Sequence, residues 1–152
     1  QLGFSAKDYV GPGTGVSQEQ LQHKIQVIEA ALERHRESSA SPWELARCLG
    51  GKEVTAMTAA ILHATSLRIP VVLDGLIAAA AASVAIAIQP QVKALCIAGH
   101  RSAEPAHALA LEHYGWRALL DLDMRLGEGT GAAMAIGVIR AAASAFRDMQ
   151  TF

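Results

Sequence analysis

Aromatic side chains are scarce in this chain, at 5% of its 152 residues. So few rings cannot fill an aromatic-rich sandwich core, and small apolar residues packing helices on a sheet are expected instead. An excess of charge is also missing. The formal net charge is −1, and no stripe of Lys and Arg forms, which argues against a nucleic-acid partner. Cysteine is limited to Cys48 and Cys96, far apart and in apolar surroundings. Two isolated thiols fit a reducing, cytoplasmic compartment better than a disulfide framework. The first residues show no signal-peptide pattern. The longest apolar run, Leu76 to Ile88, falls well short of the roughly 20 residues a membrane span requires, so a buried helix is expected there.

What is present is alanine, glycine and regular punctuation. The hydrophobic fraction is 51%, enough for one domain with a real core. Ser17 with Gln20 makes a capping box, and Leu21, Ile25, Ile28 and Leu32 follow at helical spacing to about Arg36. Glu37 to Ala40 reads as a polar loop. Ser41-Pro-Trp-Glu44 repeats the helix-start signal, and that short helix is expected to end at Gly50-Gly51. Glu53 to about Ser66 predicts a further helix, with Val54, Met57, Ile61 and Ala64 inward. Ile69 to Leu73 predicts a strand buried on both faces, followed by the alanine-rich helix. Val92 to Ala98 predicts a second strand, Pro105 to Tyr114 a helix closed by Gly115, and Ala118 to Leu122 a third strand. A helix over Ala132 to Met149 completes the pattern. The alternation implies an α/β fold: a doubly wound, mainly parallel sheet with flanking helices, a partial Rossmann-like domain.

Ligands of such sheets bind at the carboxyl ends of the strands. That rule puts Asp74-Gly75, Gly99 to Glu104 and Met124 to Gly131 along one rim, which is also where the polar and glycine residues gather. In Gly127-Glu-Gly-Thr-Gly131 the glycines let a ligand approach the backbone and leave Glu128 as the reactive group. A carboxylate in a partly dry cleft can act as a general base. An acidic residue at a helix start is also favoured by the helix dipole alone. Gly11-Pro-Gly-Thr-Gly15 can hold a phosphate through backbone N–H groups with Lys24 nearby, or can be a plain turn; no Gly-Lys-Ser/Thr follows, so it is not a P-loop. Asp74 suits a ribose hydroxyl or the cap of the next helix, and Ser102 suits a ligand or the start of the helix at Pro105. His100, Glu104, His107 and His113 lack the spacing of a metal site, and no metal is expected. No Gly-x-Ser-x-Gly is present for a hydrolase nucleophile.

Four segments in this order and spacing resemble the nicotinate-nucleotide:dimethylbenzimidazole phosphoribosyltransferases. They are Gly11-Pro-Gly-Thr-Gly15 with Lys24, Ile69-Pro-Val-Val-Leu-Asp-Gly75, His100-Arg-Ser-Ala-Glu104 and Arg125-Leu-Gly-Glu-Gly-Thr-Gly-Ala132. The Gly50-Gly51 pair matches too, and the resemblance runs over essentially the whole chain. It implies a glycosyltransferase that moves phosphoribosyl from nicotinate mononucleotide to 5,6-dimethylbenzimidazole, giving α-ribazole 5′-phosphate and nicotinate, in cobalamin nucleotide-loop assembly. It implies Glu128 as general base; Gly13, Thr14 and Lys24 at the phosphate; and Asp74, Gly75, Ser102, Leu126 and Gly127 around nucleotide and base. No cofactor and no membrane is implied, and a homodimer is. Family members are about twice this length. Residues 1–152, which begin with Gln, are therefore expected to be the C-terminal part of one domain whose N-terminal half is missing, inactive in isolation. The competing expectation is a non-catalytic nucleotide-binding or assembly domain, with the alanine-rich helices as interface.

Overall fold

The computed structural model describes residues 6–11, 15–37, 41–124 and 127–149. Gly13, Thr14 and Leu126 lie outside the described residues. After α1 (Ala6–Tyr9), α2 (Gln18–Arg34) opens on the capping box: the Ser17 hydroxyl accepts from the Gln20 N–H, and the Gln20 side chain accepts from the Ser17 N–H. α3 (Pro42–Leu45) runs through a π-helical turn, Ala46–Gly50, into α4 (Gly51–Ser66). The Gly50-Gly51 pair thus does not separate two helices by a loop. It widens one turn, with Gly51 at φ 68°.

β1 (Val71–Leu73) is shorter than the expected strand. Pro70 has no N–H to give a ladder, and the Ile69 N–H turns back to the Ala64 carbonyl at 3.0 Å. α5 (Leu76–Ile88) follows. The expected second strand is also trimmed: Pro90–Leu95 is 3₁₀, because Pro90 fixes a helical φ at its first position, and only β2 (Cys96–Ala98) is extended. β1 and β2 pair in parallel, Val71 with Cys96, Val72 with Ile97 and Leu73 with Ala98. The expected third strand makes a single parallel bridge, His100 with Leu120. The chain after β2 leaves the ladder at Ser102 to enter α6 (Pro105–Tyr114), and Asp123 turns away at φ 50°. α7 (Thr130–Asp148) closes the described fold.

The core lies between α4, α5 and the strands. Ile61, Leu73, Ala81, Ala82, Ala85, Val92 and Cys96 form it, with Met57 and Trp116 packed on its edge. Alanine lets α5 sit close to α4, close enough for the buried Thr58 hydroxyl to donate to the Ala81 carbonyl at 3.1 Å. Burial pushes the Cys96 thiol up to about 11, so it stays protonated and serves as a small core residue. Among the described residues no helix is long and apolar enough to cross a membrane.

Candidate active site

The parallel pair ends at Leu73 and Ala98, and both chains spill their polar residues over the same edge. Asp74 follows β1 directly. Its carboxylate Oδ1 accepts the Ala132 N–H, 58 residues away in the first turn of α7, at 3.0 Å. Asp74 therefore does not cap the helix that follows it, which starts on Gly75 without a side-chain bond. It caps a different one. The His100 side chain, only 5% exposed, lies with Nδ1 3.7 Å from the same Asp74 oxygen.

Gly131 makes this arrangement possible. A Cβ at that position would clash with the His100 ring, so only glycine admits the imidazole against the start of α7. Gly75 borders the same cluster: a Cβ there would stand 3.6 Å from the Ser102 Cβ and 3.8 Å from the His100 Cε1. Ser102 does not start α6, whose N-cap is Glu104 without a side-chain bond. Its N–H donates to the His107 Nδ1 at 3.0 Å. That bond assigns the His107 proton to Nε2. Burial, with help from His100 and Arg101 and against Asp74, lowers His107 to about 4, so the ring is neutral near pH 7. Two buried polar atoms here have no hydrogen-bond partner among the described residues: the His100 Nδ1 and the Ser102 Oγ. Such atoms are costly unless a ligand or water engages them.

Glu128 heads the same helix. Gly127, Glu128 and Gly129 all take left-handed conformations, with φ of 76°, 55° and 77°. The Thr130 N–H closes the turn on the Gly127 carbonyl at 3.0 Å. A non-glycine residue at positive φ costs about 1 kcal/mol, a strain that gathers at functional positions. Among the described residues the Glu128 carboxylate has no hydrogen-bond or ion-pair partner, and the residue is exposed. The dry cleft expected around it is not formed by these residues.

Lys24 stands on α2 and donates from Nζ to the Gly11 carbonyl at 3.1 Å, tying the helix to the entrance of the glycine-rich turn. Gly11 is buried against the Glu104 carboxylate and Pro105, so Gly11 borders the end of the His100–Glu104 segment. The rim thus brings Asp74, Gly75 and Ser102 to the start of α7, which Gly127 and Glu128 precede, and Lys24 reaches its border through Gly11 and Glu104. Sequence reasoning placed His100 on this rim without giving it a role, and left His107 out of it. The strand that runs on from Cys96 carries His100 to the rim, whereas its neighbour Gly131 is not legible from spacing. Among the described residues no group of His, Cys, Asp and Glu could hold a metal ion.

Comparison with known proteins identifies the family of the chain. The phosphoribosyltransferase family model matches residues 1–152. The chain belongs to that family. The nicotinate-nucleotide–dimethylbenzimidazole phosphoribosyltransferase of Allorhizobium ampelinum is 50% identical over 150 residues, covering 99% of this chain and 44% of the relative. The protein of the same name from Rhizobium leguminosarum bv. trifolii matches at the same identity and coverage. The crystal structure of CobT from Thermus thermophilus superposes with a TM-score of 0.88 at 42% identity, over 94% of this chain and 43% of that one. The chain therefore spans under half the length of the phosphoribosyltransferases it matches, and its α/β fold is that of solved family members.

Proposed function

We propose that this chain is the C-terminal part of a phosphoribosyltransferase that joins nicotinate mononucleotide to 5,6-dimethylbenzimidazole, with Glu128 as general base. The observation that carries the reading is the Glu128 carboxylate, without a partner among the described residues and held between two left-handed glycines at the head of α7, in a chain of this family. A benzimidazole nitrogen attacks C1 of the ribose. The bond from C1 to the nicotinate nitrogen breaks, and its electron pair neutralises the pyridinium. The proton on the other benzimidazole nitrogen passes to the Glu128 carboxylate, leaving α-ribazole 5′-phosphate and nicotinate. The attack comes opposite the leaving group, so the anomeric configuration inverts. The pyridinium charge already activates the leaving group, and no metal is required. Holding the two reactants in line supplies roughly 7–11 kcal/mol of the barrier, and one general base adds about 10²–10⁴-fold.

Gly13, Thr14 and Lys24 are proposed at the phosphate. Gly75, Ser102, Leu126 and Gly127 are proposed around the nucleotide and the base. The Ser102 Oγ, buried and without a partner among the described residues, supports a polar ligand contact there. The place of the reaction is cobalamin nucleotide-loop assembly in the cytoplasm, on a Rossmann-like frame in a homodimer. Residues 1–152 are proposed to work within a longer polypeptide, whose other part walls in Glu128. The relatives' greater length supports this. So does α7, where Met134 is 48% and Phe146 89% exposed although the helix is rich in apolar residues. The same exposed face favours the second reading, a non-catalytic assembly domain.

The test compares wild type with Glu128→Gln in the full-length polypeptide, following nicotinate release. Turnover is expected to fall about 10²–10⁴-fold while the affinity for nicotinate mononucleotide changes little. Unchanged turnover removes Glu128 from the chemistry. An inactive wild type, with no rise in melting temperature on adding nicotinate mononucleotide, transfers the assignment to the assembly domain.

A further inference from the structure

We infer that Asp74 and His100 are positioning residues that set the geometry of Glu128 through the first turn of α7. The kinetic part of this inference rests on the proposed transferase reading. The structural part does not.

Helix α7 starts without help from its own sequence. Its N-cap is Gly129, which has no side chain to satisfy the first amides. A Ser or Asp at that place would accept from the second or third N–H of the helix. Ala132 is the third helical residue, and its N–H is taken by Asp74 from the end of β1. The cap is thus supplied from across the fold, and its negative charge sits where the helix dipole favours it. Meanwhile the turn before the helix holds three successive left-handed residues, one of them Glu128. That conformation persists only if the surroundings impose it. The Asp74 bond fixes the helix start from the sheet side. The buried His100 ring fills the space left by Gly131 and stands beside the Asp74 carboxylate. Together they clamp the end of the turn to the carboxyl edge of both strands.

In this assignment Asp74 acts through α7, whereas the family resemblance implies a place beside the nucleotide and base. One of its two carboxylate oxygens is committed to Ala132, and the side chain is largely covered. The cap needs the acceptor oxygen more than it needs the charge. Asparagine also has an acceptor oxygen and caps helices about as well as aspartate.

The experiment uses Asp74→Ala and Asp74→Asn. In the full-length polypeptide, hydrogen exchange at the Ala132 amide should speed up roughly fivefold in Asp74→Ala, the size of a lost cap, and return toward wild type in Asp74→Asn. In the full-length polypeptide, Asp74→Ala should lower kcat for nicotinate release on the order of 10²-fold, as expected of a misplaced catalytic group, with KM for nicotinate mononucleotide within about threefold. Asp74→Asn should recover at least about tenfold of that loss, the conservative rescue a cap permits. A raised KM with equal damage from both variants would overturn the inference and make Asp74 a ligand of the substrate. An Ala132 amide indifferent to Asp74→Ala would overturn the cap itself. If wild type releases no nicotinate, the transferase reading fails, and the Ala132 exchange still decides the cap.

Discussion

The layer formed by α4 and α5 and the rim that ends in α7 are built on opposite terms. In the layer, Ala79, Ala81, Ala82 and Ala85 are almost wholly buried, and Thr58 ties one helix to the other. The edge of the layer has one buried polar atom without a partner among the described residues, the Trp116 Nε1; the rim has two, beside a non-glycine residue at positive φ and a carboxylate with no described partner. Cores lower free energy by filling space, whereas sites hold groups in readiness at some local cost. Stability and chemistry are thus weighted towards different parts of this chain, joined at Asp74.

The contrast can be broken most forcefully from the core side. Leu73 is fully buried on β1, one residue before Asp74. Leu73→Ala should cost about 2–5 kcal/mol, from the lost transfer energy and the cavity left behind. Urea unfolding measures it. Because the next residue anchors α7, the Ala132 amide should also exchange faster in this variant while the population stays folded. If protection at Ala132 is unchanged, core and rim are less coupled than the Asp74 bond implies.

Acid tests the buried polar floor of the rim. His107 titrates at about 4 in the folded chain against 6.5 for an unburied imidazole, chiefly because burial disfavours the charged ring. The unfolded chain therefore binds the proton first. Stability is full above about pH 6.5 and is lost as pH falls towards 4, by about 3 kcal/mol at the most. His107→Asn, which offers an acceptor to the Ser102 N–H and does not titrate, should flatten that window. Urea midpoints from pH 7 to pH 4 read the slope, and an equal slope in both proteins would assign the acid sensitivity to other groups.

The sequence carried the helices well because their start and stop signals are local. Ser17 with Gln20 and Gly115 did as their chemistry dictates. It carried the strands poorly. Ile69 and Val92 have strand-forming side chains, yet Pro70 and Pro90 deny them ladder partners, and Ala118 to Leu122 finds only one bridge. The rim was legible as a set of loops at strand ends. The bond from Asp74 to Ala132 was not, since it joins positions 58 apart. Nor could spacing disclose that Gly131 exists to admit a histidine ring, or that the apolar face of α7 stays exposed in this chain.

The smallest effect sharpens the comparison best. Glu128 is a left-handed non-glycine flanked by left-handed glycines. Glu128→Gly removes the Cβ that makes this conformation unfavourable, and removes no hydrogen bond or ion pair among the described residues. It should therefore stabilise the chain by about 1 kcal/mol, less whatever the added glycine freedom gives the unfolded state. Thermal or urea unfolding of the 152-residue chain measures it. A core position cannot behave this way, because truncation there always opens space. Stabilisation together with lost nicotinate release in the full-length polypeptide would mean that the turn trades folding energy for a carboxylate at that spot. Destabilisation would mean that Glu128 makes a contact the fold needs, and the division between a stable layer and a strained rim would have to be redrawn around it.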